Sequence, residues 1–248
     1  MTILASLKTT IIYLLLILAI QLLIVLGLTY INRDSKARLA ARLGPKSIVY
    51  VGGLGIIVHE LSHLLVAIIF GHHINGFRLL ITDVENSGGA LGYVNHSWNK
   101  KNYYQFMGNA LIGTAPIFGC TFVLLLLTRL LVPGIYQWGL QQMAGMLGLP
   151  FSTNISGGPT NWLLVIVWDV LSINITIGGF DLSNADLKST VPSFVALFVI
   201  TGLFLFLFVL FGQAAVIHHY LFIVLSWFIL VMVISLIWSL LVNILVRI

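Results

Sequence analysis

The chain has 248 residues, 59% of them hydrophobic and only 8% charged, with a formal net charge of +5. A soluble domain carries about 25% charged residues, so too few charges are present to cover a water-facing surface, and lipid must be the main solvent. The positive balance is not a nucleic-acid signal, because five of the twelve basic residues fall in one short run beside an apolar segment: Arg33, Lys36, Arg38, Arg42 and Lys46.

Taken in chain order, apolar length predicts about six membrane spans, each needing about 20 residues. They run from Thr9 to Ile31, Ser47 to Gly71, Phe106 to Val132, Asn161 to Gly179, Val191 to Phe211 and Val216 to Asn243. The first is too long for a signal-peptide core and reads as a retained span. The basic run at 32–46 reads as a loop that faces the cytoplasm and its anionic lipid. Between spans two and three, residues 76–81 and 90–94 read as two short strands, and Asp83 to Gly89 as the turn between them. If span two crosses fully, that turn lies on the side opposite the basic loop. Lys100 and Lys101 then flank span three on the same far side, so charge does not choose an orientation. Residues 133–160 carry no charge and are rich in Gly, Gln and Ser; they fit either a loop or a partly embedded segment. The single Cys120 leaves no internal disulfide. The fold class expected is an all-α polytopic membrane protein with a short β-hairpin, in one domain covering 1–248.

Span two contains His59-Glu60-Leu61-Ser62-His63, an H-E-x-x-H sequence on an apolar helix. Histidines four apart lie on one helical face about one turn apart, where two imidazoles can share one Zn²⁺. Glu60 between them is suited to take a proton from a water activated by the metal and to pass it to a leaving amine. An ionisable residue in mid-span costs roughly 2.5 kcal/mol or more unless it is paired or functional, which argues against coincidence. Gly55, one turn before His59, leaves room for a partner helix or a substrate backbone.

A catalytic zinc takes three protein ligands and keeps one position open. Three aspartates are candidates for the third. Asp186 follows Ser183 in a capping-box pattern at the start of a helix, where the helix dipole favours a carboxylate anion. Asp181 follows the Gly178-Gly179 pair and reads also as a turn residue; Asp169 lies midway along span four. His72, His73, His96, His218 and His219 sit at span or hairpin ends, where polar aromatics are ordinary. In span three, Asn109 is a candidate substrate-binding or oxyanion-stabilising group and equally a packing group, and Pro116 predicts a bend.

H-E-x-x-H in a hydrophobic helix, then a hairpin, a span containing Gly and Pro, and the later Leu182-Ser183-x-x-Asp186-Leu187-Lys188 segment resemble the site-2 protease family of intramembrane zinc metalloproteases, in its small bacterial-type members. The resemblance covers about residues 47–212. It implies that His59, His63 and a distal aspartate, Asp186, hold one zinc ion and that Glu60 is the general base. It implies too that the hairpin offers an edge strand to an unwound substrate. The expected partners are the bilayer and a single-span membrane protein or signal-peptide-like segment, with no nucleic acid, and the expected location is a bacterial cell membrane. Two other functions compete: a metal or ion transporter, which should show inverted repeats that this sequence lacks, and a non-catalytic binder of membrane segments, which would have no use for Glu60.

Overall fold

The computed structural model describes residues 3–146 and 161–248, with the side chains of 16–22, 143, 144, 146, 184–189, 218 and 222 left outside that description. The chain forms α1 (Ile3–Leu43), α2 (Ser47–Ile69), β1 (His73–Arg78), β2 (Tyr93–Ser97), α3 (Tyr103–Leu131), α4 (Pro133–Met146), α5 (Trp162–Gly179), α6 (Asn184–Leu210) and α7 (Ala214–Leu245). Five helices among the described residues are long and apolar enough to cross a membrane: α2, α3, α5, Thr190–Leu210 of α6, and α7. The protein is an all-α polytopic membrane protein with one small two-stranded sheet.

The first expected span, 9–31, lies inside α1, part of it on side chains outside the described residues. The basic run is not a loop. Arginine and lysine are good helix formers, and α1 carries Arg33, Lys36, Arg38 and Arg42 on its last turns before stopping at Gly44, whose φ is 83°. Its 41 residues extend about 60 Å, twice the hydrocarbon thickness, so the helix is longer than a span needs and gathers its charged residues at one end. The segment after Val132 begins as a helix, α4, packed on α3 and α7; its continuation, 147–160, lies outside the described residues.

The hairpin departs most from expectation. Its ladder pairs His73 with Ser97, Phe77 with Val94 and Arg78 with Tyr93, with a register shift between Ile74 and Gly76. The strands thus lie closer to the helices than predicted, and 79–92 becomes a long connection, held across its base by Ile81 N–H donating to Leu91 C=O at 2.8 Å. After α2 ends at Ile69, Gly71 turns the chain with a φ of 68°, and it runs back alongside α2. Leu80 approaches Gly53. Thr82 and Asp83 share a pocket with Lys46, Val49 and Tyr50 at the start of α2. The tip therefore returns to the basic end rather than projecting from the opposite one, and the two basic clusters no longer compete to place it. Non-helical backbone alongside a spanning helix is tolerated where it is buried in protein or lines a polar cavity, and the second condition holds here.

The apolar core joins α1, α3, α5 and α7 through Val25, Leu28, Cys120, Leu124, Ile175, Phe180 and Met232. Polar cross-links fix the lower end of α5 to α1 and α7. Asn32 Nδ2 donates to Thr176 C=O at 2.9 Å, and Ser239 Oγ donates to Asn32 Oδ1 at 2.7 Å. These bonds tie α5 to α1 and α7 two residues before Gly178.

Candidate functional site

The site is built on a helix crossing without side chains. A Cβ at Gly178 would lie 1.8 Å from the Gly52 carbonyl oxygen; one at Gly55 would lie 2.6 Å from the Asn174 carbonyl oxygen and 2.7 Å from Gly179 N. The partner that Gly55 admits is therefore α5. Small residues that let backbones touch are the usual basis of helix association in lipid. Asn174 of α5 adds a polar lock. Its Oδ1 accepts from Leu54 N–H at 2.7 Å and its Nδ2 donates to Tyr50 C=O at 2.9 Å. Tyr50 and Leu54 are four residues apart, the pair that a regular helix joins to each other, so Asn174 engages the α2 ladder itself, one turn before His59.

This close crossing brings the end of α5 to the first histidine. His59 Nδ1 lies 2.9 Å from Gly179 C=O. Gly179 is the last residue of α5, and the last four carbonyls of a helix have no partner within it. His63 Nδ1 lies 2.8 Å from Ile112 C=O of α3. In a regular helix that carbonyl would accept from the N–H of residue 116, but residue 116 is proline and has none. Sequence thus frees both anchoring carbonyls, one by ending a helix and one by a proline four residues on.

A carbonyl only accepts, so each Nδ1 carries the proton and each Nε2 presents a lone pair. The two Nε2 atoms face each other at 3.2 Å, and both rings are buried. Lone pairs at that distance repel unless a cation or a shared proton lies between them. A tetrahedral zinc with nitrogen bonds of 2.0–2.1 Å would separate two ligands by about 3.3 Å. Histidine ligands to metals commonly donate their other ring N–H to a carbonyl. The histidine pair therefore has the geometry of two ligands to one metal ion.

Glu60 shares with both histidines a cavity of about 420 Å³. One wall is Gly89–His96, the end of the connection and most of β2; the others include Ile112 and Gly113 of α3, Gly178 of α5, and Lys36, Asp181 and Ser183. The hairpin therefore covers the H-E-x-x-H face. Gly92 sits on Glu60 itself: a Cβ there would be 2.7 Å from Glu60 Cγ.

The three aspartates separate clearly. Asp169 is ten residues before Gly179, about 15 Å along α5, and does not line the cavity. Asp181 does, but Arg33 Nε holds its Oδ1 at 2.8 Å and Lys36 Nζ its Oδ2 at 2.8 Å. Among the described residues no third His, Cys, Asp or Glu joins the histidine pair at metal-binding distance. Asp186 occupies the first turn of α6, three residues after the cavity-lining Ser183; its side chain lies outside the described residues. Asn109 is buried but does not line the cavity. Its Nδ2 turns to the carbonyls of Phe106 at 3.3 Å and Gln105 at 3.5 Å in its own helix, a backbone-satisfying habit of asparagine. Gly113, one turn later, faces the cavity in its place.

Of the remaining histidines, His72 and His96 form a second pair, Nδ1 to Nδ1 at 2.9 Å, and His72 Nε2 reaches Gln105 C=O at 2.9 Å. That pair ties β2 to the junction of α2 and α3. Sequence position did not reveal it, since residues 24 apart meet only through the hairpin. Compared with protein-family models, with curated proteins and with solved structures, the chain matches none.

Proposed function

We propose that the protein is an intramembrane zinc metalloprotease, of the kind its H-E-x-x-H helix and hairpin resemble, which hydrolyses peptide bonds in or near the spanning segment of another membrane protein. The observation that carries this reading is the pair of buried imidazoles, each fixed by a backbone carbonyl at Nδ1, whose Nε2 lone pairs converge at 3.2 Å beside Glu60. On this reading His59, His63 and Asp186 hold one zinc ion. When bound, the metal supplies Lewis acidity toward water and the scissile carbonyl.

The chain's own residues do the rest. Glu60 removes a proton from the attacking water as oxygen bonds to the carbonyl carbon. It returns that proton to the amide nitrogen as the carbon–nitrogen bond breaks. The carbonyls of Ile112 and Gly179 accept from Nδ1 and so favour the tautomer whose Nε2 carries the lone pair. A helical substrate has its carbonyl engaged and its flanks blocked, so it must unwind. Among the described residues β1 is the one strand paired with β2, and β2 is the strand that lines the cavity, so its other edge faces that space. An unwound segment adding to that edge would have its amides satisfied in a place without bulk water. Substrates on this reading are single-span proteins or signal-peptide-like remnants, and the small bacterial members of the resembled family suggest a bacterial cell membrane as the setting.

Co-reconstitution with a single-span substrate in liposomes tests the proposal. Wild-type protein should cut it, Glu60→Gln should hold zinc without cutting, and His59→Ala should lose both. Cleavage by Glu60→Gln at the wild-type rate would overturn the assignment.

A further inference from the structure

The hairpin does more in this cavity than line it. Gly92 lies within the connection, and three observations separate it from the hairpin's other glycines. Gly88 and Gly89 have φ of 65° and 87°, values that glycine adopts without strain, and a Cβ on either would meet nothing within 4 Å. They serve the turn. Gly92 is not among the positive-φ glycines, so its backbone would accept any L-residue. What it lacks is space. A Cβ there would stand 2.7 Å from Glu60 Cγ, 3.1 Å from Glu60 Oε1 and 3.1 Å from the Arg78 carbonyl oxygen. The fourth, Gly76 in β1, has open space around it and an ordinary φ, and it does not line the cavity.

We propose that Gly92 is a positioning residue for Glu60: the bare backbone of the hairpin at this point forms the surface against which the glutamate side chain rests, and so sets where its carboxylate stands relative to His59 and His63. This rests on the metalloprotease reading for its catalytic consequence, though the contact itself does not. It joins the element that would seat the substrate to the residue that would move the proton. A displacement of the hairpin shifts the glutamate, and a glutamate displaced by one atom's width misses its proton.

An added methyl must recover an ordinary carbon–carbon separation of about 3.5 Å. Starting from 2.7 Å, Glu60 or the hairpin has to retreat by about 0.8 Å. Misplacement by about 1 Å costs up to about 100-fold in rate.

The test compares Gly92→Ala with Gly76→Ala in the liposome cleavage assay and in thermal unfolding, with Glu60→Ala as the second background. Expected are a kcat lower by about 10- to 100-fold for Gly92→Ala, with KM within about twofold, zinc content unchanged, and Gly76→Ala like wild type. The unfolding cycle should show Gly92→Ala lowering Tm in the wild-type background and much less in Glu60→Ala, where the side chain it meets is gone. Unchanged kcat for Gly92→Ala would overturn the proposal, as would a Tm loss of equal size in both backgrounds. If wild-type protein cuts nothing, the protease reading fails by itself, and the unfolding cycle still decides whether Gly92 and Glu60 are coupled.

Discussion

On the proposed reading, adding one methyl at Gly178 should weaken zinc binding by about 10- to 100-fold without touching a ligand. The Cβ of an alanine at 178 would lie 1.8 Å from the Gly52 carbonyl oxygen and 2.8 Å from Ile56 N. An ordinary carbon–oxygen contact sits at about 3.3 Å, so α2 and α5 must part by about 1.5 Å. Both neighbours are backbone atoms, and no side-chain rotation relieves them. The next carbonyl along α5, Gly179, holds His59 Nδ1 at 2.9 Å. Half of that separation, added to 2.9 Å, passes the limit of about 3.5 Å for a hydrogen bond. Overpacking costs typically about 1–3 kcal/mol, and losing the partner of a ligating histidine costs about 10- to 100-fold in metal affinity. The control is Gly27→Ala in α1, where a Cβ meets nothing within 4 Å and the change should raise helix stability by up to about 1 kcal/mol. Zinc competition titration with a chromophoric chelator, with melting of the same micellar samples, reads both effects. Gly178→Ala binding zinc as tightly as wild type, with an unchanged Tm, would refute the dependence of the site on the glycine crossing.

Pro116→Ala should split stability from metal binding: the new N–H competes for the Ile112 carbonyl that orients His63, so zinc affinity falls by about 10-fold while Tm holds or rises, because proline inside a helix costs about 3 kcal/mol. The same chelator titration and melt check it, and a fall in both or in neither speaks against the freed carbonyl. Asn174→Leu removes its side-chain bonds to Tyr50, Leu54 and Gly55 of α2 at nearly constant volume and should destabilise by about 1–2 kcal/mol, at the upper range of polar contacts between helices in membranes; guanidinium-free thermal or steric-trapping measurements give the value. Beyond the apolar run of α1, Asp34 is held to a pKa of about 2, first by the hydrogen bond from Arg38, then by that from Asn243 of α7, with the charges of Arg38 and Arg247 adding. Its folded value lies below its ordinary one, so its contribution is complete above about pH 4 and is lost as pH falls through about 2. Asp34→Asn should lower Tm at neutral pH, where the contribution is complete, and flatten the acid limb of a Tm-against-pH curve, so that the two proteins converge as pH falls through about 2.

Much of this architecture is written locally in the chain, and the remainder depends on which segments meet. The apolar runs locate the spans because a helix that satisfies its own backbone is the simplest way through lipid. The H-E-x-x-H spacing places two imidazoles on one face whatever surrounds them. Gly55 reads from sequence as a place of close approach, but that its neighbours are Asn174, Ile175 and Gly179 is a tertiary fact. Pro116 reads as a bend; its larger consequence, a free carbonyl at Ile112, follows from helix geometry, yet only packing says that His63 uses it. The strand boundaries miss because the chain at 79–92 runs beside α2, with Leu80 near Gly53 and Gly92 against Glu60, and keeps the bond from Ile81 N–H to Leu91 C=O outside the ladder. The basic run at 33–42 misleads for a similar reason: charge marks where a helix leaves lipid, not where it stops. Asn109 attracts attention as a polar residue in an apolar helix, and its Nδ2 turns to two carbonyls of that helix.

The most direct measurement is zinc K-edge absorption on the purified protein in a membrane mimetic. One zinc per chain is expected, with two imidazole nitrogens at about 2.0–2.1 Å and an oxygen ligand, and with the imidazole scattering lost in His59→Ala and His63→Ala. A protein that takes up no zinc when supplied with it, or one whose zinc shows no histidine scattering, would contradict the account.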